Sequence, residues 1–271
     1  MKKIALMLVM LLATATTFAQ ITINGKSLKE FNQEYEVKMY QDSIIDIVEE
    51  LVESGKFNMA IEKLDELKRN PPQLPEWKLY GQYFFYKIHL FSEMQDWDAV
   101  LRVADDYDNS NPDYDSDEYA PMIFSSTATA YSAKENYTDA IKSNEKALDL
   151  YEKRDKPNDV AQILGAIGYS YALMERDYLA KDFLDKSIDK YLKYFKTEPK
   201  ELIKKKYKLS TESKTELEIQ KDEASLQLFG TYLYGRAILA DKDGDRKEMK
   251  KLLKMGINCG SKLCKKYYNE Y

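Results

Sequence analysis

Side chains that most often perform catalysis or bind metals are rare in this sequence. Histidine occurs once, at His89, and cysteine twice, at Cys259 and Cys264. A single histidine cannot supply a histidine-rich metal site, and no serine or cysteine near it in the sequence forms a recognisable nucleophile motif. We therefore expect a protein that is not an enzyme, with no catalytic residues, no metal site and no cofactor.

Glycine and proline are also sparse, with ten glycines and seven prolines among 271 residues. So few turn residues argue against a protein built from β-hairpins. Charged residues make up 32% of the chain, and leucine and alanine recur between them. This mixture is typical of amphipathic helices. The formal net charge of −5 argues against nucleic acid as a partner.

Long apolar runs are missing after the N-terminus, so we expect no transmembrane segment. The first residues have the three parts of an export signal: Lys2 and Lys3, an apolar run over residues 4–13, and small residues over 17–19. This run is too short to span a bilayer, which needs roughly twenty residues. No cysteine follows that would suggest a lipid anchor. We expect residues 1–19 to be a cleaved signal peptide and the soluble mature protein to be periplasmic or secreted.

A helical repeat of about forty residues runs through most of the chain. Four stretches begin with a turn and then place a small residue early in an amphipathic helix, at Ala60, Ala99, Ala140 and Ala180, with spacings of 39, 41 and 40. Positions 16, 12 and 9 residues before the alanine share one helix face, because these offsets differ by four and three. They are Ile44, Val48 and Leu51, then Phe124, Ala128 and Tyr131, then Leu164, Gly168 and Tyr171. The pattern predicts stacked helical hairpins whose backbones approach closely at the small residues.

At these positions the sequence resembles the tetratricopeptide repeat (TPR) family. The residues that follow the family's second-helix pattern in the first unit are Phe57, Ala60, Leu64, Leu67 and Pro72. Those that follow it across both helices of the third unit are Phe124, Ala128, Tyr131, Ala140 and Ala147. The resemblance covers roughly residues 37–196, with a period near 40 rather than the family's 34. It implies an all-α fold, a right-handed α-solenoid of about five helix-turn-helix hairpins.

The segments around the repeats are less regular. Residues 20–36 form a leader into the first helix, with Ser27 and Glu30 as a capping box. Residues 37–196 form four hairpins, and the motif from Trp77 to Phe84 predicts a first helix about two turns longer than usual in the second of them. Residues 197–224 are a polar insertion, rich in lysine and then in glutamate, expected to contain extended helix and a polar link. Residues 225–271 close the chain with a fifth hairpin, whose packing positions are Leu233, Ala237, Ala240 and Met249.

The resemblance also implies a binding groove. In the family, the first helix of each hairpin lines the concave face, and residues just after the packing positions point into it. The implied lining is Ile45, Glu49, Val52, Phe84, Ile88, Phe91, Ser125, Thr129, Ser132, Gly165, Tyr169 and Ala172. From this set we expect the partner-binding groove to use Phe84, Ile88, Phe91, Thr129 and Tyr169. The lining lacks the lysine and asparagine with which some family members clamp a C-terminal carboxylate.

An apolar, aromatic groove suits an amphipathic helix or an extended apolar peptide. We therefore expect a scaffold that mediates protein–protein interaction in the cell envelope or periplasm. The alternative is a small-molecule or glycan binder that uses the aromatic-lined concave groove.

Three further features of the sequence can each be interpreted in two ways. The acidic segments 105–118 and 241–245 resemble the start of a calcium loop but lack its closing carboxylate, so each is a calcium site or a solvated turn. The eight lysines within residues 190–208 bind an anionic partner or lipid surface, or form a solvated helix face. Cys259 and Cys264 form a disulfide only if the intervening segment breaks the helix, for example at Gly260.

We predict that the mature protein begins at Gln20, because the small residues before it fit the cleavage site of an export signal. The intact mass of protein recovered from the periplasm or the medium measures this directly. A full-length mass that retains Lys2 and Lys3 would contradict the export prediction.

Overall fold

The computed structural model describes residues 22–23, 26–69, 81–110 and 113–270. The predicted signal peptide and Gln20 lie outside these residues. The chain divides into two compact units, residues 1–79 and 80–271, which are described separately.

The first unit is a helical hairpin preceded by a short antiparallel ladder. Strands β1 (Thr22–Ile23) and β2 (Lys26–Ser27) pair Thr22 with Ser27 and Ile23 with Lys26. Helix α1 (Leu28–Glu53) then packs against α2 (Phe57–Arg69). Most of the predicted packing residues are buried, namely Ile44, Val48, Ala60, Leu64 and Leu67, and Leu51 is half-buried.

The second unit consists of ten helices within the described residues. They are α3 (Gly81–Glu93), α4 (Trp97–Ser110), α5 (Ala120–Ala133), α6 (Tyr137–Lys153), α7 (Pro157–Leu173), α8 (Asp177–Tyr194), α9 (Pro199–Lys204), α10 (Glu216–Lys242), α11 (Arg246–Asn258) and α12 (Lys262–Glu270). The pairs α3–α4, α5–α6, α7–α8 and α10–α11 form hairpins, and successive hairpins pack side by side. The predicted all-α solenoid of helical hairpins is confirmed. None of the helices in the described part of the chain is long and apolar enough to span a membrane.

Small residues lie where the paired helices cross. Ala60, Ala99, Ala140 and Ala180 each occur in the first turns of a second helix, and none is more than 2% exposed. In the fourth hairpin the partner position is Gly168, where an added Cβ atom would lie 3.2 Å from the carbonyl oxygen of Ala180. The helices can approach this closely because neither position carries a large side chain.

The turns inside the first four hairpins repeat every forty residues. Gly55, Gln95, Glu135 and Glu175 have φ angles of 69°, 56°, 60° and 57°. In each turn the amide of this residue and the next amide donate to carbonyl groups of the preceding helix, as Glu135 does to Ser132 at 3.0 Å. This is the Schellman arrangement, in which the left-handed residue ends the helix and satisfies its last carbonyl groups. Only the first turn uses glycine, so the other three hold a residue in a conformation that costs about 1–2 kcal/mol.

Two expectations for irregular segments have different outcomes. The extra turns expected before α3 fall on residues 70–80, which lie outside the described part of the chain. The polar insertion contains one short helix, α9, and non-helical residues 205–215. Helix α10 then begins inside the predicted insertion, because Thr215 and Glu218 form a capping box in which the Thr215 amide donates to the Glu218 carboxylate at 2.7 Å.

Replacing Glu135 by glycine is expected to raise the free energy of unfolding by about 0.5–1 kcal/mol, because glycine adopts a positive φ without steric cost. The matched control is Glu145→Gly, at an exposed position within α6, which is expected to lower it by about 1 kcal/mol. Urea unfolding of both variants and the wild type compares the two effects. Equal destabilisation by both substitutions would contradict the left-handed conformation at Glu135.

Candidate partner-binding surfaces

Two residues of the predicted groove lie inside the hairpin core. Phe84 is 2% exposed and Ile88 is fully buried. The ring of Phe84 lies 5.0 Å from that of Tyr83 and 5.3 Å from that of Tyr107, measured between centroids. Phe84 therefore packs α3 against α4, and neither side chain presents a surface to a partner.

The other three predicted groove residues lie on three different helices. Phe91 is half-buried at the end of α3, and Thr129 is exposed on α5, where its hydroxyl donates to the Ser125 carbonyl at 3.1 Å. The half-buried ring of Tyr169 packs beside Gly235 of α10, where an added Cβ atom would lie 3.3 Å from the ring. The next hairpin thus covers part of this ring. That Phe91, Thr129 and Tyr169 contact a partner stays a prediction.

An aromatic cluster that the sequence reasoning missed lies on α3 and at the start of α5. It consists of Phe85, Tyr86, His89 and Tyr119, of which His89 is exposed and the three others are half-buried. The Phe85 ring lies 5.5 Å from that of Tyr119 and is nearly parallel to the His89 ring, at 6.4 Å and 10°. The signal was the spacing of Phe85 and His89, which places the two rings one above the other on a helix.

A groove of about 190 Å³ lies between α4, α5 and α6. Its walls carry acidic residues, two lysines and two aromatic rings: Asp105, Asp108, Asp139, Lys142, Lys146, Phe124 and Tyr131. Lys142 pairs with Asp139 at 2.9 Å, and Lys146 pairs with Asp108 at 3.3 Å. Burial, and then the nearby aspartates, raise the pKa of Tyr131, so its hydroxyl stays protonated at neutral pH. The charges of this groove are thus largely matched within the protein.

The acidic segment 105–118 is held by cationic side chains from α6 and its end. The guanidinium of Arg154 donates to backbone carbonyl groups of the segment, at 2.7 Å for Asp117 and 3.0 Å for both Tyr114 and Glu118. Lys153 pairs with Asp115 at 2.9 Å. Within the described residues, no group of three or more acidic, histidine or cysteine side chains is arranged to hold a metal ion. Arg154 therefore takes up backbone carbonyl groups of this segment, and Lys153 takes up one of its carboxylates.

The second acidic segment, residues 241–245, forms hydrogen bonds within the protein, and both cysteines are buried. Asp245 caps α11 by accepting the Glu248 amide at 3.0 Å, and Asp241 accepts the Tyr267 hydroxyl at 2.9 Å. Cys259 and Cys264 are both buried free thiols. Burial, followed by the neighbouring Cys264, raises the pKa of Cys259 to about 12. The Cys259 thiol therefore stays protonated and unreactive at neutral pH.

The lysine-rich segment is followed by a buried ionic anchor. Asp222 of α10 is 5% exposed, accepts the Tyr194 hydroxyl at 2.5 Å and pairs with Lys214. Burial by itself raises the pKa of Asp222, but the hydrogen bonds from Lys214 and Tyr194 outweigh it, and the pKa lies below its ordinary value. This anchor ties the non-helical segment before α10 to the end of α8.

Two solved structures are similar to this chain over most of both lengths. BtubC (BKLC) from P. vanneervenii aligns with a TM-score of 0.64 and 12% identity, over 89% of this chain and 85% of that chain. A kinesin-light-chain candidate from Podosopora anserina with nearly identical TPR-like repeats aligns with a TM-score of 0.51 and 12% identity, over 81% of this chain and 94% of that chain. The fold is TPR-like. The sequence matches no protein-family model and no curated protein.

Replacing Asp222 by asparagine is expected to lower the free energy of unfolding by about 2 kcal/mol at neutral pH, since hydrogen bonds to charged groups contribute about 1.5–3 kcal/mol. The folded pKa is lowered, so this contribution is complete above the unfolded pKa of about 4 and is lost as the pH falls through the folded value. Unfolding of wild type and variant at neutral and acidic pH measures it.

The control for this experiment is Tyr194→Phe, which keeps the carboxylate and Lys214 and loses one hydrogen bond. It is expected to cost about 1 kcal/mol. A difference between wild type and Asp222→Asn that stayed constant into acid would show that the Asp222 charge contributes nothing to stability.

Proposed function

We propose that this protein is an exported scaffold that binds other proteins through the aromatic cluster on α3 and α5. The observation that carries the proposal is the set of half-buried rings at Phe85, Tyr86 and Tyr119, with His89 exposed beside them. In a TPR-like solenoid the first helices of successive hairpins lie side by side. A segment from a partner can therefore lie across several of them at once.

The chemistry of the cluster favours an apolar segment as the bound element. Half-buried aromatic rings lose their remaining contact with water when a partner covers them. Little side-chain entropy is lost in this step, because aromatic side chains have few rotatable bonds. The exposed His89 also brings its ring nitrogens to the rim of the cluster. An amphipathic helix, or an extended peptide with alternating apolar side chains, matches this combination.

The N-terminal sequence supports a location outside the cytoplasm. Lys2 and Lys3, the apolar run over residues 4–13 and the small residues over 17–19 together have the organisation of an export signal. We therefore place the scaffold in the periplasm or among secreted proteins, where it serves proteins of the cell envelope.

The test uses purified protein, immobilised and exposed to an envelope extract of the cells that produce it. Proteins retained by the wild type are expected to fall at least about tenfold with Phe85→Ala plus His89→Ala, because aromatic anchors dominate binding at such surfaces. The control is Tyr178→Ala, which removes a ring that is 83% exposed at the start of α8, away from the cluster. It is expected to retain the same proteins as the wild type.

Melting temperatures of all three proteins separate binding from folding, and the exposed His89→Ala single variant adds a case with little expected effect on stability. Equal loss of capture with Tyr178→Ala would mean nonspecific adhesion to exposed rings. Undiminished capture by the double variant would reject the cluster as the binding surface.

A further inference from the structure

Charge is distributed very unevenly along this chain. Residues 1–189 contain 21 basic and 34 acidic side chains, for a formal charge of −13. Residues 190–271 contain 20 basic and 12 acidic side chains, for a formal charge of +8. The basic character is strongest over residues 190–208, where eight lysines face two glutamates. A protein that is acidic as a whole thus has a markedly basic C-terminal part.

Within the described residues, the lysines of residues 190–208 have no acidic partner. All eight are exposed, and within the described residues none of them forms a salt bridge. They are Lys190, Lys193, Lys196, Lys200, Lys204, Lys205, Lys206 and Lys208. By contrast, Lys146 and Lys153 of α6 each pair with an aspartate. The charge of residues 190–208 is therefore available to an external anion.

Four of these lysines surround a cleft of about 410 Å³ beside α9. Its lining consists of Lys196, Lys205, Lys206 and Lys208, together with Thr197, Glu201, Leu202 and Tyr207. Leu202 is 1% exposed and Tyr207 is half-buried, so the cleft has apolar material beneath a cationic rim. Its volume lies within the roughly 300–1,000 Å³ of small-ligand pockets.

The wall of the cleft is fixed by contacts to the rest of the second unit. The Tyr207 hydroxyl donates to the Phe195 carbonyl at 2.9 Å, and the Tyr207 amide donates to the Asn258 carbonyl at 2.9 Å. The side-chain amide of Asn258 in turn donates to the Leu202 carbonyl at 2.6 Å. These bonds hold the non-helical segment after α9 against α8 and α11. The lysines on that segment are therefore carried by a positioned backbone.

Compensation of helix dipoles explains only some of these lysines. Lys193 and Lys204 lie in the last turns of α8 and α9, where a cation interacts favourably with the helix end. Lys205, Lys206 and Lys208 lie beyond the end of α9, and Lys205 has extended backbone angles. A solvated helix face therefore does not account for the lysines that line the cleft.

We propose that this cleft binds an acidic peptide segment of a partner protein, as a second docking point of the scaffold. The inference rests on the proposed scaffold function but uses different residues. Lysine ammonium groups on separate flexible stems fit carboxylates spaced along a peptide, and the apolar floor fits the methylene groups between them. A membrane surface fits less well, because residues 190–210 expose no large apolar side chain that would insert into lipid.

The experiment measures binding of a fluorescein-labelled oligoglutamate peptide to the full chain by fluorescence anisotropy. The triple variant Lys196→Gln, Lys205→Gln, Lys206→Gln is expected to weaken binding at least about tenfold at an ionic strength of about 0.15 M, where charges beyond about 8 Å are screened. The matched control, Lys250→Gln, Lys254→Gln, Lys265→Gln, removes the same charge from exposed lysines of α11 and α12. It is expected to change binding less than about twofold.

Three outcomes would overturn the proposal. Equal weakening by both triple variants would show that the peptide responds only to the overall charge of this end. Failure of the wild type to bind the peptide would reject the site. Binding of anionic phosphatidylserine vesicles that depends on Lys196, Lys205 and Lys206, without peptide binding, would assign the cleft to a membrane.

The variant Phe85→Ala plus His89→Ala keeps the two proposals distinguishable. It is expected to bind the peptide as the wild type does, because neither residue lines the cleft. Peptide binding without any capture through the aromatic cluster would leave the cleft supported and reject the cluster. Loss of peptide binding in this variant would contradict the independence of the two surfaces.

Discussion

Paired helices in this protein pack closely because small residues lie where they cross. In α7 and α8, an added Cβ atom at Gly168 would lie 2.9 Å from the Leu184 side chain and 3.2 Å from the Ala180 carbonyl. Larger residues at these positions would separate the helices and open the core between hairpins. The short left-handed turns follow from the same geometry, because only a tight connection returns the chain at this spacing. The outer faces of helices packed in this way remain exposed, and a partner can bind there.

The fold could be predicted from the sequence wherever structure is local and repeated. A small residue such as Ala140 that is followed by large residues at helical spacing indicates a hairpin. The pattern is informative because both helices and the turn lie within forty residues. The insertion after α8 has no such period. Its course is decided by distant contacts, such as Tyr207 with Asn258 and Tyr194 with Asp222. Periodicity carries no information about these pairs, so the predicted extended helix is a short α9 and a non-helical segment.

The candidate surface was harder to predict than the fold for a related reason. Helix α3 contains consecutive aromatic residues from Tyr83 to Tyr86, and successive side chains on a helix differ by about 100° in direction. Tyr83 and Phe84 are the buried pair because other side chains pack against them; the Tyr107 ring, for example, lies against Phe84. One residue further on, Phe85 points to the other side and stacks beside His89. At Phe84 the assignment by family position thus falls on the core, and a shift of one residue along the helix exchanges core for surface.

Acidic and basic runs that look alike in a sequence have opposite roles in this protein. The acidic run 105–118 comes before a helix whose cations reach back to it: Arg154 binds its backbone carbonyl groups, and Lys146 and Lys153 pair with Asp108 and Asp115. The lysine run 190–208 forms no salt bridge within the described residues, although α10 begins with acidic residues, and the nearby carboxylate of Asp222 is already bound by Lys214 and Tyr194. Internal pairing therefore offsets part of the charge of the negative run and leaves that of the positive run unpaired. Long-range steering depends on the summed charge of a region. Residues 190–271 have a formal charge of +8, opposite in sign to the net charge of the protein.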